Sequence, residues 1–184
     1  MQIPIAQPSL GNEESDAVLA VLASGMIAQG PVTAAFEEEF AAYCGVPHAV
    51  AVSNGTTALH AALLAAGVGP GDEVIVPAFT FFATASSVSM CGARPVFADV
   101  DAATATIDPA DILAKVTPKT KAVIGVHLYG QPCDAGAVRD ICDDKDLVFI
   151  EDAAQAHGAE YRGKRAGALG DLACFSFYAT KNLA

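Results

Sequence analysis

A chain of 184 residues with 53% hydrophobic and 17% charged side chains is long enough for one domain with a substantial core, which excludes a disordered chain. Its formal net charge of −11 excludes a broad basic face for nucleic acid, so any phosphate site must come from backbone amides and a few side chains. No long apolar run of about eighteen residues is present, and the opening Met1 to Ile5 lacks a basic-then-apolar signal, which predicts a cytoplasmic protein without a membrane span.

In chain order, Pro4 to Ser9 reads as extended. A helix begins at Asn12 and carries Val18, Leu19 and Leu22 at helical spacing before Gly25 ends it. Gly30-Pro31 breaks the chain ahead of a second amphipathic helix, Val32 to Cys44, with Phe36 and Phe40 on one face and Glu37 to Glu39 as a solvated acidic run. The pattern then alternates. Strands are predicted at Ala49 to Ser53, Glu73 to Val76, Pro95 to Ala98, Ala122 to Val126, Leu147 to Ile150 and Ala173 to Phe177. Helices are predicted at Thr56 to Ala66, Ala83 to Cys91, Pro109 to Val116 and Ala135 to Asp143. Repeated strand and helix units with near-continuous apolar strands indicate a three-layer α/β/α fold around a mostly parallel sheet. Ligands of such sheets gather at the carboxyl ends of the strands. Polar residues collect at those ends: Ser53 to Thr57, Pro77 to Phe81, His127 to Gly130, Glu151-Asp152 and Ser176 to Lys181.

The five cysteines, Cys44, Cys91, Cys133, Cys142 and Cys174, are widely spaced, mostly with apolar flanks and no CxxC pair. They read as buried free thiols, and no metal site is expected.

Two stretches carry the chemistry. An apolar strand leads into a polar turn bearing Lys181, and a lysine held beside apolar surface loses proton affinity and can form a Schiff base with an aldehyde. Asp152 directly follows the strand Leu147 to Ile150 and offers a carboxylate for a pyridinium nitrogen, though it equally reads as a cap of the next turn. Together they point to pyridoxal phosphate. Ser53-Asn54-Gly55-Thr56-Thr57 joins strand to helix, so the amides of Thr56 and Thr57 at a positive helix end form a phosphate cradle or, equally, an ordinary capped turn. Gln155 reads as a partner for the ring hydroxyl or a turn amide, and Phe81 as a stacking ring or a core aromatic. Lys181, taken by spacing alone, is a lysine of the kind that is usually solvated.

Four stretches combine these pieces: Ser53-Asn54-Gly55-Thr56-Thr57-Ala58-Leu59, Gly71 to Pro77, Glu151 to Gly158 and Phe175 to Asn182. In this ordered set the chain resembles the pyridoxal-phosphate-dependent nucleotide-sugar aminotransferases of the DegT/StrS type, within the fold type I aminotransferase superfamily. The resemblance implies that Lys181 forms the Schiff base and then moves a proton between cofactor and substrate carbons. It implies that Asp152 binds the pyridine nitrogen, Gln155 the ring hydroxyl, and Phe81 the ring face, with Thr56, Thr57 and Ser176 on the phosphate. His127 and Tyr129 are expected at the substrate entrance, and His157 in a packing or supporting role. Members of the family are roughly twice this long, which implies that residues 1–184 are an incomplete large domain lacking the small C-terminal domain. The implied activity of the parent enzyme is amino transfer from glutamate or glutamine to a nucleotide-linked keto-deoxysugar, by a homodimer, with little or no turnover by this chain alone. Sugar dehydratases of the family carry histidine at the matched position, so Lys181 favours amino transfer. Two rivals from other classes are a non-catalytic remnant that pairs with a full-length relative, and a nicotinamide oxidoreductase, for which the glycine fingerprint is absent.

Overall fold

A computed structural model describes residues 7–183. Its elements run α1 (Asn12–Ser24), α2 (Pro31–Cys44), α3 (Gly55–Ala65), β1 (Glu73–Pro77), α4 (Ala83–Met90), β2 (Arg94–Ala98), α5 (Pro109–Lys115), β3 (Thr120–Val126), α6 (Ala135–Lys145) and β4 (Val148–Asp152). The short hairpin β5 (Glu160–Tyr161) and β6 (Lys164–Arg165) and the strand β7 (Leu172–Cys174) complete them. Five strands form one sheet in the order β2-β1-β3-β4-β7, and every pairing is parallel.

Alternation along the strands sorts the core into two faces. Val74, Val76, Ile124, Val126 and Ile150 point to one side and pack with Leu59 and Leu63 of α3 and Val88 of α4. Ile75, Val123 and Phe149 point to the other and pack with Ile112 of α5 and Val138 and Cys142 of α6. A sheet buried on both faces needs apolar residues at consecutive positions, and β1 is buried at all five. The expected three-layer α/β/α architecture is therefore present.

Helix boundaries follow local chemistry. The side chains of Asn54, Asp108 and Asp134 accept the backbone N–H of Thr57, Ala110 and Ala137 and start α3, α5 and α6. Gly25 and Gly45 end α1 and α2 in the left-handed region, where a Cβ is costly.

Three expectations are corrected: the strand at 49–53, the solvated placement of Glu37, and the far end of the strand at 173–177. Residues 49–53 form no strand: the Ala51 N–H is taken by the Glu37 carboxylate at 2.7 Å, and no strand among the described residues lies beside the segment to build a ladder. That bond also removes Glu37 from the solvated acidic run. The strand expected at Ala173 to Phe177 is shorter and ends at Cys174, because its neighbour β4 ends at the paired Asp152. Val18, Leu19 and Leu22 keep their helical spacing, yet α1 buries none of its residues among the described ones. Of the extended opening, residues 4–6 lie outside the described residues, and 7–11 take no regular structure.

Candidate active site

The parallel register sets Val126, Asp152 and Cys174 side by side, so the carboxyl ends of β3, β4 and β7 make one rim. Strand order reverses between β1 and β3, the position where such sheets open a crevice.

Asp152 is the last residue of β4, not the first after it, and strand alternation aims it at the α3/α4 face. It is 6% exposed. Its Oδ2 accepts the Thr84 hydroxyl at 2.8 Å, and its Oδ1 accepts the Ala154 N–H at 3.3 Å. The turn-capping reading of Asp152 is thus partly true. Burial pushes its carboxyl above the ordinary range, against the Thr84 and Ala154 hydrogen bonds and the nearby positive charge of Lys181. Among the described residues no cation makes an ion pair with it. A buried carboxylate with hydroxyl and amide partners but no cation fits a ligand that brings a protonated ring nitrogen.

Lys181 sits half-buried in the turn after β7, its backbone N–H donating to the Tyr178 carbonyl at 2.8 Å. Its charge reaches both Asp152 and His157. The turn that bears Lys181 follows β7, the strand whose Cys174 is paired with Asp152.

Gln155 lies just past Asp152, and its Oε1 accepts the Tyr129 N–H at 2.8 Å. That bond turns the amide so that Nε2 remains available as a donor. Tyr129 holds a left-handed backbone, φ 53°, in the short 3₁₀ turn that follows β3, and its side chain is exposed as an entrance residue requires. Phe81 leads into α4, whose Thr84 touches Asp152. Its ring is 61% exposed and leans on Phe82 at 4.7 Å between centroids, so it is not a core aromatic.

At the start of α3 both readings of the Ser53 to Thr57 turn hold in part. The Thr57 amide is not free, as it donates to Asn54 Oδ1 at 2.9 Å, and its hydroxyl lies 3.2 Å from the same oxygen. A Cβ on Gly55 would stand 3.0 Å from the Ser176 Cβ, so the α3 start and the turn after β7 meet with no room for a side chain. The helix start that carries Thr56 and the turn that carries Ser176 are therefore adjacent.

His127 does not line an entrance, because it is completely buried. Its Nδ1 accepts the Cys133 N–H at 3.2 Å, which leaves the proton on Nε2 to be donated to Glu151 Oε2 at 2.9 Å. The remaining acceptor positions of Glu151 take the N–H groups of Gly167, Leu169 and Gly170, each at 2.8 Å. Glu151, which motif reading passes over, ties the loop behind the rim to β3. Thr84 was equally invisible, since a threonine in a helix's first turn carries no signal of its distant partner. All five cysteines are free and buried, and burial pushes the Cys133 and Cys142 thiols up to about 12, which makes them inert. Among the described residues no cluster of metal-binding side chains occurs.

The sequence profile of the DegT/DnrJ/EryC1/StrS aminotransferase family matches residues 8–184. The GDP-perosamine synthase of Caulobacter vibrioides is 51% identical, over 98% of this chain and 49% of its own length. The dTDP-3-amino-3,4,6-trideoxy-alpha-D-glucose transaminase of Streptomyces venezuelae is 47% identical, over 100% of this chain and 48% of its own. The PLP form of a Streptococcus pneumoniae protein superposes with a TM-score of 0.97 at 34% identity, covering 100% of this chain and 51% of that one. The chain therefore spans about half the length of the curated relatives it matches.

Proposed function

We propose a function from one premise: the chain belongs to the DegT/DnrJ/EryC1/StrS aminotransferase family. It is the larger part of the cofactor-binding domain of a pyridoxal-phosphate-dependent enzyme that transfers an amine to a nucleotide-linked keto-deoxysugar, with glutamate or glutamine as donor. The observation that carries the reading is Asp152, buried at the strand-end rim with no cation partner among the described residues, beside the strand β7 that leads into the turn bearing Lys181.

Pyridoxal phosphate, when bound, supplies an aldehyde and an electron-withdrawing ring through which an amine is exchanged for a ketone. The chain's own residues supply the rest. Asp152, held by Thr84 and Ala154, would keep a proton on the ring nitrogen. Gln155, turned by the Tyr129 amide, would offer Nε2–H to the ring oxygen. Phe81 would cover the ring, and Thr56 and Ser176 would hold the phosphate, with Thr57 stiffening that turn through its bonds to Asn54. Lys181 would offer its Nζ to the cofactor's aldehyde, with loss of water, and would then serve as the group that moves a proton between carbon atoms.

The domain reading is that residues 1–184 form an incomplete large domain of a homodimeric cytoplasmic enzyme, with a small C-terminal domain beyond them. The unpaired segment 49–53 and the single-sided β7 support it. The test is the half-reaction of the full-length protein loaded with pyridoxal phosphate, read as 2-oxoglutarate formed from glutamate. Lys181→Ala is expected to lower it by more than about a hundredfold. An unchanged rate overturns the assignment of Lys181.

A further inference from the structure

His157 lies in the same run, Glu151 to Gly158, as Asp152 and Gln155, yet none of the roles above uses it. Its surroundings are specific. The Nδ1 atom stands 2.8 Å from Asn182 Oδ1, and Asn182 Nδ2 donates to the His157 carbonyl at 3.0 Å. Asn182 therefore spends both ends of its amide on one residue and cannot rotate without losing both bonds. Since Oδ1 is the acceptor, His157 Nδ1 carries the proton. The imidazole also rests on Phe175 and Phe177, at 5.2 and 5.1 Å between centroids. One side chain thus grips both ends of the segment 175–182.

That segment needs a grip. The sheet ends at Cys174, and the only backbone hydrogen bond within the described turn beyond it runs from the Lys181 N–H to the Tyr178 carbonyl. A lysine has four rotatable bonds, and a turn free to shift would spread its amine over several ångströms. The residue next to Lys181 in sequence is the one that is latched. An acid–base role for His157 does not fit, because its Nε2 is buried and forms no hydrogen bond. Burial, chiefly, lowers its proton affinity, against the Asn182 bond and the Ser176 backbone, with the nearby Lys181 charge acting in the same direction as burial. The neutral ring with one proton on Nδ1 is the form the latch requires.

We propose that His157 is a positioning residue for Lys181, forming with Asn182 a two-point latch that fixes the turn from which the lysine side chain departs. The proposal rests on the reading of Lys181 as the reactive amine.

Hydrogen exchange of the full-length protein without added cofactor tests it first. His157→Phe keeps the ring against Phe175 and Phe177 but removes the donor, and Asn182→Leu removes the other half from an exposed position that folding tolerates. Each is expected to raise exchange of the amides of 176–183 by about tenfold. The double variant is expected to be no worse than Asn182→Leu alone, because that substitution already removes both bonds, whereas His157→Phe keeps the carbonyl that accepts Asn182 Nδ2–H. His157→Asn, whose Nδ2 can stand where Nδ1 was, is expected to restore part of the protection. In the loaded enzyme the single variants should lower kcat for the glutamate half-reaction and leave KM unchanged. Unchanged exchange, or additive effects of the two substitutions, overturns the latch. A Lys181→Ala protein that still reacts with glutamate overturns the functional reading instead, and the exchange rates distinguish that failure from this one.

Discussion

Glu151 and Asp152 are neighbours in β4, and strand alternation sends them to opposite faces with opposite fates. Glu151 is buried, and the resulting desolvation is overcome by its bonds to His127, Gly167 and Gly170, so its carboxyl sits below the ordinary 4.5. Asp152 is buried with fewer donors, and desolvation wins. A lowered carboxyl contributes stability that is present above 4.5 and lost as pH falls through the folded value. A raised one works the other way: the native state holds more protons than the unfolded chain just above 3.8, and stability falls as pH rises through that window. Glu151→Gln places an NH₂ where an oxygen accepts two donors, so it is expected to cost about 3 kcal/mol at neutral pH, with a lower Tm and a weaker acid transition. Asp152→Asn is expected to raise the Tm of the cofactor-free protein while weakening pyridoxal phosphate binding by at least about tenfold. A drop in the cofactor-free Tm would mean that the Asp152 carboxylate is needed by the fold itself. Residue chemistry of this kind separates a carboxylate that builds the site from one that waits for a ligand.

At the scale of elements, the start of α3 joins fold to site. Asn54→Ala removes the acceptor for the Thr57 amide and is expected to cost about 1 kcal/mol, read by thermal unfolding. Gly55→Ala is expected to leave the helix intact but drive α3 and the Ser176 turn apart, since the new Cβ meets Ser176 at 3.0 Å. Its signature is weaker cofactor affinity with little change in Tm. Both elements and most of the rim were legible in the sequence, because strands buried on both faces read as apolar runs and side-chain caps announce helix starts. What was not legible depends on distant partners. Residues 49–53 have strand composition, but a strand exists only with a neighbour, and here Glu37 holds the Ala51 amide instead. The β5–β6 hairpin is two residues a side, too short for a period to show. His127 looked like an entrance residue because it ends a strand, and its burial follows from Glu151, which no spacing rule connects to it.

The whole molecule is uneven in a way that its elements explain. Among the described residues the sheet has two edges, β2 paired only with β1 and β7 paired only with β4, and Val50, 78% exposed, sits in a segment with no ladder. A strand edge left open is prone to pair with further chain. If residues beyond 184 belong to the functional protein, as the proposed function requires, some of them should pair there. Hydrogen exchange offers the check: in the protein of the relatives' length the amides of 50–53 and of β7 are expected to exchange at least about tenfold more slowly than in the 184-residue chain. The isolated chain is expected to show no amino transfer to a nucleotide-linked keto sugar. Equal protection in both proteins, together with turnover by the 184-residue chain, would establish that this half is sufficient, and that the open edge is a stable surface of the working enzyme.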